Sequence, residues 1–123
     1  MALDVLIVDD SAAIRKILQR VLRQTDLPVG NVYEASNGVE ALASLEQHNV
    51  HLVLSDINMP EMDGLELLRR LRSSDEWKSL PVIMITTEGG KTRVLEAAKL
   101  GATGYVRKPF TADQIKEKLT GLY

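Results

Sequence analysis

Five times in 123 residues a short continuous apolar run is followed by a stretch whose apolar residues recur at helical spacing. That alternation leaves few architectures open. The first run, Val5-Leu6-Ile7-Val8, is unbroken and rich in β-branched residues, as a strand covered on both faces requires. Ile14, Ile17, Leu18, Val21 and Leu22 then recur with Arg15, Lys16, Arg20 and Arg23 between them, so the spacing predicts an amphipathic helix. Pro28 and Gly30 mark the turn after it, and a short strand is expected over 32–35. Asn37-Gly38-Val39-Glu40 sets an acid three places after a cap residue and opens a second helix, with Leu42 and Leu45 on one face. The third unit is Leu52-Val53-Leu54, closing in Ser55-Asp56, followed by a helix from Asp63-Gly64 striped by Leu65, Leu68 and Leu71. Val82-Ile83-Met84-Ile85 precedes a fourth helix carrying Val94, Ala97 and Ala98, which Gly101 ends in a left-handed turn. Tyr105-Val106 is the fifth strand; Thr111-Ala112-Asp113-Gln114 repeats the capping pattern ahead of Ile115, Leu119 and Leu122.

Strand-then-helix units of this kind imply a parallel sheet with right-handed crossovers and helices on both faces. No Gly/Ser/Pro-rich linker interrupts the pattern, so residues 1–123 read as a single domain. Apolar residues make up 45% and charged residues 26%, a globular composition. A chain this long buries about two-thirds of its unfolded surface. With 15 basic against 17 acidic residues the formal charge is -2, which provides no overall field to draw the chain to nucleic acid or an anionic membrane. The absence of cysteine excludes a disulfide framework, a thiol nucleophile and Cys-rich metal sites. The first residues lack a basic n-region, and the run at 5–8 is too short for a signal sequence or a membrane span. A cytoplasmic protein is expected.

In parallel α/β sheets chemistry gathers beyond the carboxyl ends of the strands, where the strand order reverses. Asp9-Asp10 follows the first strand, Asp56 the third, Thr86-Thr87 the fourth, and Lys108-Pro109 the fifth. Taken singly, each acid reads as a helix or turn cap, Lys108 as a solvated surface residue and Thr86 as a β-branched strand residue. Together they place three carboxylates on one rim. Such a group repels itself unless a divalent cation neutralises it. Oxygen ligands without cysteine or paired histidine suit Mg²⁺. A carboxylate beside Mg²⁺ and a lysine is equipped to attack phosphorus and form an aspartyl-phosphate, and Asp56 is the central candidate.

Other phosphate chemistries fit less well. Gly90-Lys91-Thr92 suggests a phosphate-binding loop, but the first glycine it needs is replaced by Ile85 and Glu88 would place negative charge in the cradle. Asp9-Asp10 would repel a flavin phosphate after the first strand, and Ser11 supplies neither carboxylate of a dehalogenase-type phosphatase. No dinucleotide-binding glycine motif is present. His48 and His51 straddle a helix end and a strand start, so they make a poor metal pair, and His48 is expected at the helix C-terminus. Trp77 is expected to lie across a helix end, with Met59 and Met62 packing beside the turn after Asp56.

Asp9-Asp10, Asp56 within Leu-Ser-Asp-Ile-Asn-Met-Pro-Glu-Met-Asp-Gly, Thr86, Tyr105 and Lys108-Pro109-Phe110 form a joint pattern. With it, the whole chain resembles the receiver domain of two-component response regulators, most nearly the single-domain members that act in chemotaxis. The resemblance implies a flavodoxin-like three-layer sandwich with strand order 2-1-3-4-5 and five helices, an order that comes with the family. It implies that Asp56 accepts a phosphoryl group from a phosphohistidine on a sensor kinase or phosphotransfer domain. Asp9, Asp10, Asp56 and the Asn58 backbone carbonyl would hold Mg²⁺, and Lys108 and the Thr86 hydroxyl would meet phosphoryl oxygens. Tyr105 would then swing inward and change the face formed by the fourth helix, fifth strand and fifth helix, where Lys91, Arg107 and Lys118 could meet an acidic partner helix. Asn58 and Glu88 match positions that tune the phosphoryl lifetime, and the Lys108-Pro109 bond would be cis. Such a domain catalyses its own phosphorylation and dephosphorylation without an external turnover substrate. It works as a monomer or transient dimer on a downstream target, a flagellar motor switch being one candidate, and touches neither nucleic acid nor membrane. Ile57, where the enteric chemotaxis member carries an aromatic residue, and Gly89-Gly90 depart from the pattern on the surface. The alternative is a receiver-fold adaptor that works without phosphorylation.

Overall fold

A computed structural model describes residues 2–86, 91–108 and 110–120. The elements run β1 (Leu3–Val8), α1 (Ala12–Gln24), β2 (Val29–Ala35), α2 (Gly38–Gln47), β3 (Leu52–Asp56), α3 (Gly64–Arg72), β4 (Val82–Thr86), α4 (Lys91–Lys99), β5 (Gly104–Arg107) and α5 (Ala112–Thr120). All five strands are parallel and lie in the order β2-β1-β3-β4-β5. The order reverses beside β1, which sets β1 and β3 side by side at the centre of the sheet.

Alternation along the strands builds three layers. Leu6, Val8, Val53, Val82 and Met84 point to one face, where Ala41 and Leu45 of α2, Leu65, Leu68 and Leu71 of α3, and Ala97 of α4 close over them. Val5, Ile7, Leu52, Leu54, Ile83 and Ile85 point to the other, against Leu18 and Leu22 of α1 and Ile115 and Leu119 of α5. Both faces of β3 and β4 are therefore dry, which is why their sequences show no polar alternation.

Helix starts follow the expected caps. Ser11, Asn37 and Asp63 each accept the backbone N–H of the third residue beyond, at 3.3, 2.9 and 2.9 Å. Thr111 and Gln114 form a reciprocal capping box at α5. Gly101 ends the turn after α4 at φ 96, as expected of a left-handed residue.

Four expectations need correction. Ile57, expected at the surface, is 1% exposed and belongs to the apolar cluster beneath α2 and α3. β2 begins at Val29, so Gly30 lies inside the strand. Val29 pairs with Leu3, Arg23 donates to the Val29 and Gly30 carbonyls, and Asp4 accepts the Asn31 N–H; the turn itself is made at Thr25, whose hydroxyl donates to Leu22 O at 2.7 Å. Ile17 is 44% exposed, because α1 buries a narrower stripe centred on Leu18 and Leu22. Ala98 is exposed, and Ala97 alone of its pair reaches the core. Leu122 lies outside the described residues.

Candidate functional site

The central strands deliver acids to one rim. Val8 is paired with Ser55, so Asp9, just past β1, and Asp56, the last residue of β3, lie on neighbouring strands. Asp9 is 1% exposed and Asp56 8%, whereas Asp10 is open to solvent. One carboxylate oxygen from each of Asp9, Asp10 and Asp56 lies within 4.8 Å of the others. Lys108 reaches the same place from beyond β5. Its backbone N–H donates to Thr86 O at 2.6 Å, its Nζ donates to Asp9 Oδ2 at 2.8 Å, and the same atom stands 3.8 Å from Asp56 Oδ1.

The surrounding backbone fixes these groups. Asp9 Oδ1 accepts the Ser11 N–H at 2.9 Å and Asp56 Oδ1 the Ile57 N–H at 2.8 Å. The Arg15 guanidinium donates to Asp9 O at 2.5 Å and pairs with Glu34 at 2.8 Å, clamping the turn between β1 and α1. Gly64 passes so close to β3 that a Cβ there would lie 2.1 Å from Asp56 O, while its N–H donates to Ile57 O at 2.7 Å. Glycine is needed for this close approach of two backbones. Neither Arg15 nor Gly64 stood out in the sequence as a site residue; a glycine right after an acidic cap, next to a strand-end acid, is the signal that could have found Gly64.

Burial raises the Asp56 pKa above the ordinary carboxylate range; Asp9 and Asp10 push the same way, while Lys108 and the Ile57 N–H act against it. Three converging carboxylates facing one ammonium leave the rim short of positive charge. The donor set, all hard oxygen with one exposed member, fits a divalent cation of the receiver type.

The remaining expected residues are distributed around this centre. Thr86 is buried, 6% exposed, one register position beyond Ile85, the partner of Asp56 on β4. Asn58 is exposed, and its Oδ1 accepts from Arg93 Nη2 at 2.8 Å. Tyr105 is turned outward, 47% exposed, with Lys118 Nζ 5.6 Å above its ring. A groove of about 270 Å³ runs beside it, lined by Arg107, Gln114 and Glu117 among others. Glu88, Gly89, Gly90, Thr87 and Pro109, with the Lys108-Pro109 bond, lie outside the described residues, as does the Lys91 side chain. His48 stacks on Tyr33 at 3.9 Å and forms the end of α2, while His51 Nδ1 accepts the Asp4 N–H at 3.0 Å, so the histidines have separate structural duties. Met62 is buried, and Met59 and Trp77 pack against the same apolar cluster.

A sheet of order 2-1-3-4-5 with clustered acids and a lysine at its central rim is the architecture of a receiver domain, and the chain belongs to the response regulator receiver domain family, whose profile matches residues 5–120. Among its relatives, the chemotaxis protein CheY-3 of Vibrio cholerae is 44% identical over 119 residues, covering 97% of this chain and 90% of that protein. The chemotaxis protein CheY1 of Helicobacter pylori is 45% identical over 115 residues, covering 93% and 91%. In three dimensions the chain is similar to the chemotaxis response regulator CheY4 of Vibrio cholerae, with a TM-score of 0.88, 33% identity and full coverage of both chains.

Proposed function

We propose that this chain is a Mg²⁺-dependent phosphoacceptor switch in a chemotaxis pathway, and that Asp56 carries the phosphoryl group. The observation that carries this reading is the approach of the Asp9, Asp10 and Asp56 oxygens to within 4.8 Å of one another, with Lys108 Nζ 3.8 Å from Asp56. Asp56 Oδ1 is held by the Ile57 N–H, so Oδ2 is the oxygen that attacks phosphorus. The P–N bond of a phosphohistidine breaks, the imidazole leaves and takes up a proton, and an acyl phosphate forms on Asp56. Water later attacks the same phosphorus, releasing inorganic phosphate and restoring the carboxylate.

Mg²⁺ held by Asp9, Asp10, Asp56 and the Asn58 carbonyl would neutralise charge on the transferring oxygens. Asp9, whose oxygens accept from Lys108 and from the Ser11 N–H, keeps lone pairs for the ion, and it also orients Lys108 and adds to the negative field. Lys108 stabilises a phosphoryl oxygen, and the Thr86 hydroxyl turns toward another. Tyr105 follows inward, altering the face made by α4, β5 and α5. This is a population shift driven by a local charge event. Asn58 and Glu88 tune the phosphoryl lifetime. The donor is a sensor histidine kinase or phosphotransfer domain, and the target binds the altered face in the cytoplasm.

Treatment with a small acyl phosphate and Mg²⁺ tests the reading. Wild-type protein gains one hydroxylamine-labile phosphate, and Asp56→Asn protein gains none. Equal labelling of both, or none of the wild type, would sink it. Beryllofluoride should also raise affinity for the partner; unchanged affinity would favour an adaptor that ignores phosphorylation.

A further inference from the structure

Arg93 stands in the first turn of α4 and reaches across to the loop after β3. Its Nη2 donates to Asn58 Oδ1 at 2.8 Å and lies 3.6 Å from Asp63 Oδ2. The other Asp63 oxygen caps α3 by accepting the Glu66 N–H at 2.9 Å. One guanidinium thus joins the loop that follows Asp56, the start of α3 and the start of α4. The rest of α4 is lightly seated. Among its described residues only Ala97 is buried, and Leu95 is 59% exposed.

We propose that Arg93 is a positioning residue for the phosphoryl chemistry, fixing the carboxamide of Asn58 two residues beyond Asp56 and tying it to the seating of α4. The proposal rests on Asp56 being the phosphoacceptor. With Oδ1 taken by Arg93, the rotamer of Asn58 is set and its amide N–H groups are what it has left to offer as donors. The guanidinium has a planar set of donors that can serve Asn58 and Asp63 together, which a lysine ammonium cannot match in fixed geometry. A donor whose rotamer is set beforehand assists a reaction more than one that must be ordered during it. Loss of Arg93 therefore slows hydrolysis of the aspartyl-phosphate through Asn58.

The test combines Arg93→Ala, Asn58→Ala and the double variant, each phosphorylated with a small acyl phosphate and Mg²⁺ and followed after the reagent is removed. Arg93→Ala should lengthen the phosphoryl lifetime about threefold or more in the native background and leave it unchanged in the Asn58→Ala background, the non-additivity expected of contacting residues. Equal factors in the two backgrounds, or no change in either, overturn the proposal while leaving the phosphoacceptor reading intact. Failure of the wild type to take phosphate overturns both. Amide hydrogen exchange on the unphosphorylated proteins gives a second readout. Arg93→Ala should speed exchange in α4 and in residues 58–63 while α1 and α5 keep their protection, and unaltered exchange in α4 overturns the tether.

Discussion

Burial works against the charged form of Asp56. Its pKa is raised mainly by burial and further by Asp9 and Asp10, so the folded chain binds this proton more tightly than the unfolded chain does. The resulting penalty is absent below the unfolded carboxylate range and grows as pH rises through the raised folded value. At neutral pH, Asp56→Asn should therefore stabilise the fold, read as a higher urea midpoint, because a crowded buried charge is removed while the shape stays and Lys108 keeps its ion pair with Asp9. The gain should vanish in acid. Glu66 has the opposite sign: Arg69 and Arg70 hold its pKa at about 2, so what it contributes is present above the ordinary range and fades as pH falls toward that value. Gly64 sets the strictest steric demand at the site. Gly64→Ala must force apart a pair of backbones that almost touch, and urea unfolding should report a loss of about 1–3 kcal/mol, the usual cost of overpacking.

At the scale of elements, helix starts were the most legible feature of the sequence, because a cap is a local pattern of a few residues. Thr111 and Gln114 bond each other's backbone as the Thr-Ala-Asp-Gln spacing indicates. Thr111→Ala should cost about 1 kcal/mol in urea unfolding, with faster amide exchange at the start of α5. Strand limits were less legible. Gly30 reads as a turn residue by propensity, yet Leu3, Asp4 and Arg23 draw it into β2 from elsewhere in the chain. Tertiary partners override a local preference there. The outward face of Ile17 has the same origin, since periodicity gives the width of an apolar stripe but not how much of it the neighbouring layer covers.

At the scale of the whole molecule, the rim acids were legible because a parallel sheet sends every strand's carboxyl end to one edge, so Asp9, Asp10, Asp56 and Lys108 could be grouped before any distance was known. Arg93 and Arg15 were not, since Arg93 reaches Asn58 and Arg15 reaches Glu34, residues distant in sequence that only the packing of the elements brings near. None of the described helices is long and apolar enough to cross a membrane. A cation that binds the folded rim and not the unfolded chain must stabilise the whole fold. At a Mg²⁺ concentration 100 times its dissociation constant the gain is about 2.7 kcal/mol, so calorimetry should record a rising melting temperature with added Mg²⁺. Asp10→Asn should abolish most of that rise.

The sheet also acts as a partition. Side chains above it belong to one apolar cluster and those below to another, with only main chain in common. Away from the rim and the β5 edge, news from the acids passes from one side to the other through the strands themselves. The outward face of α5, which makes none of the rim contacts found among the described residues, can accordingly be exchanged for a foreign one, and a chimera made this way would speak to a new listener while keeping its original chemistry.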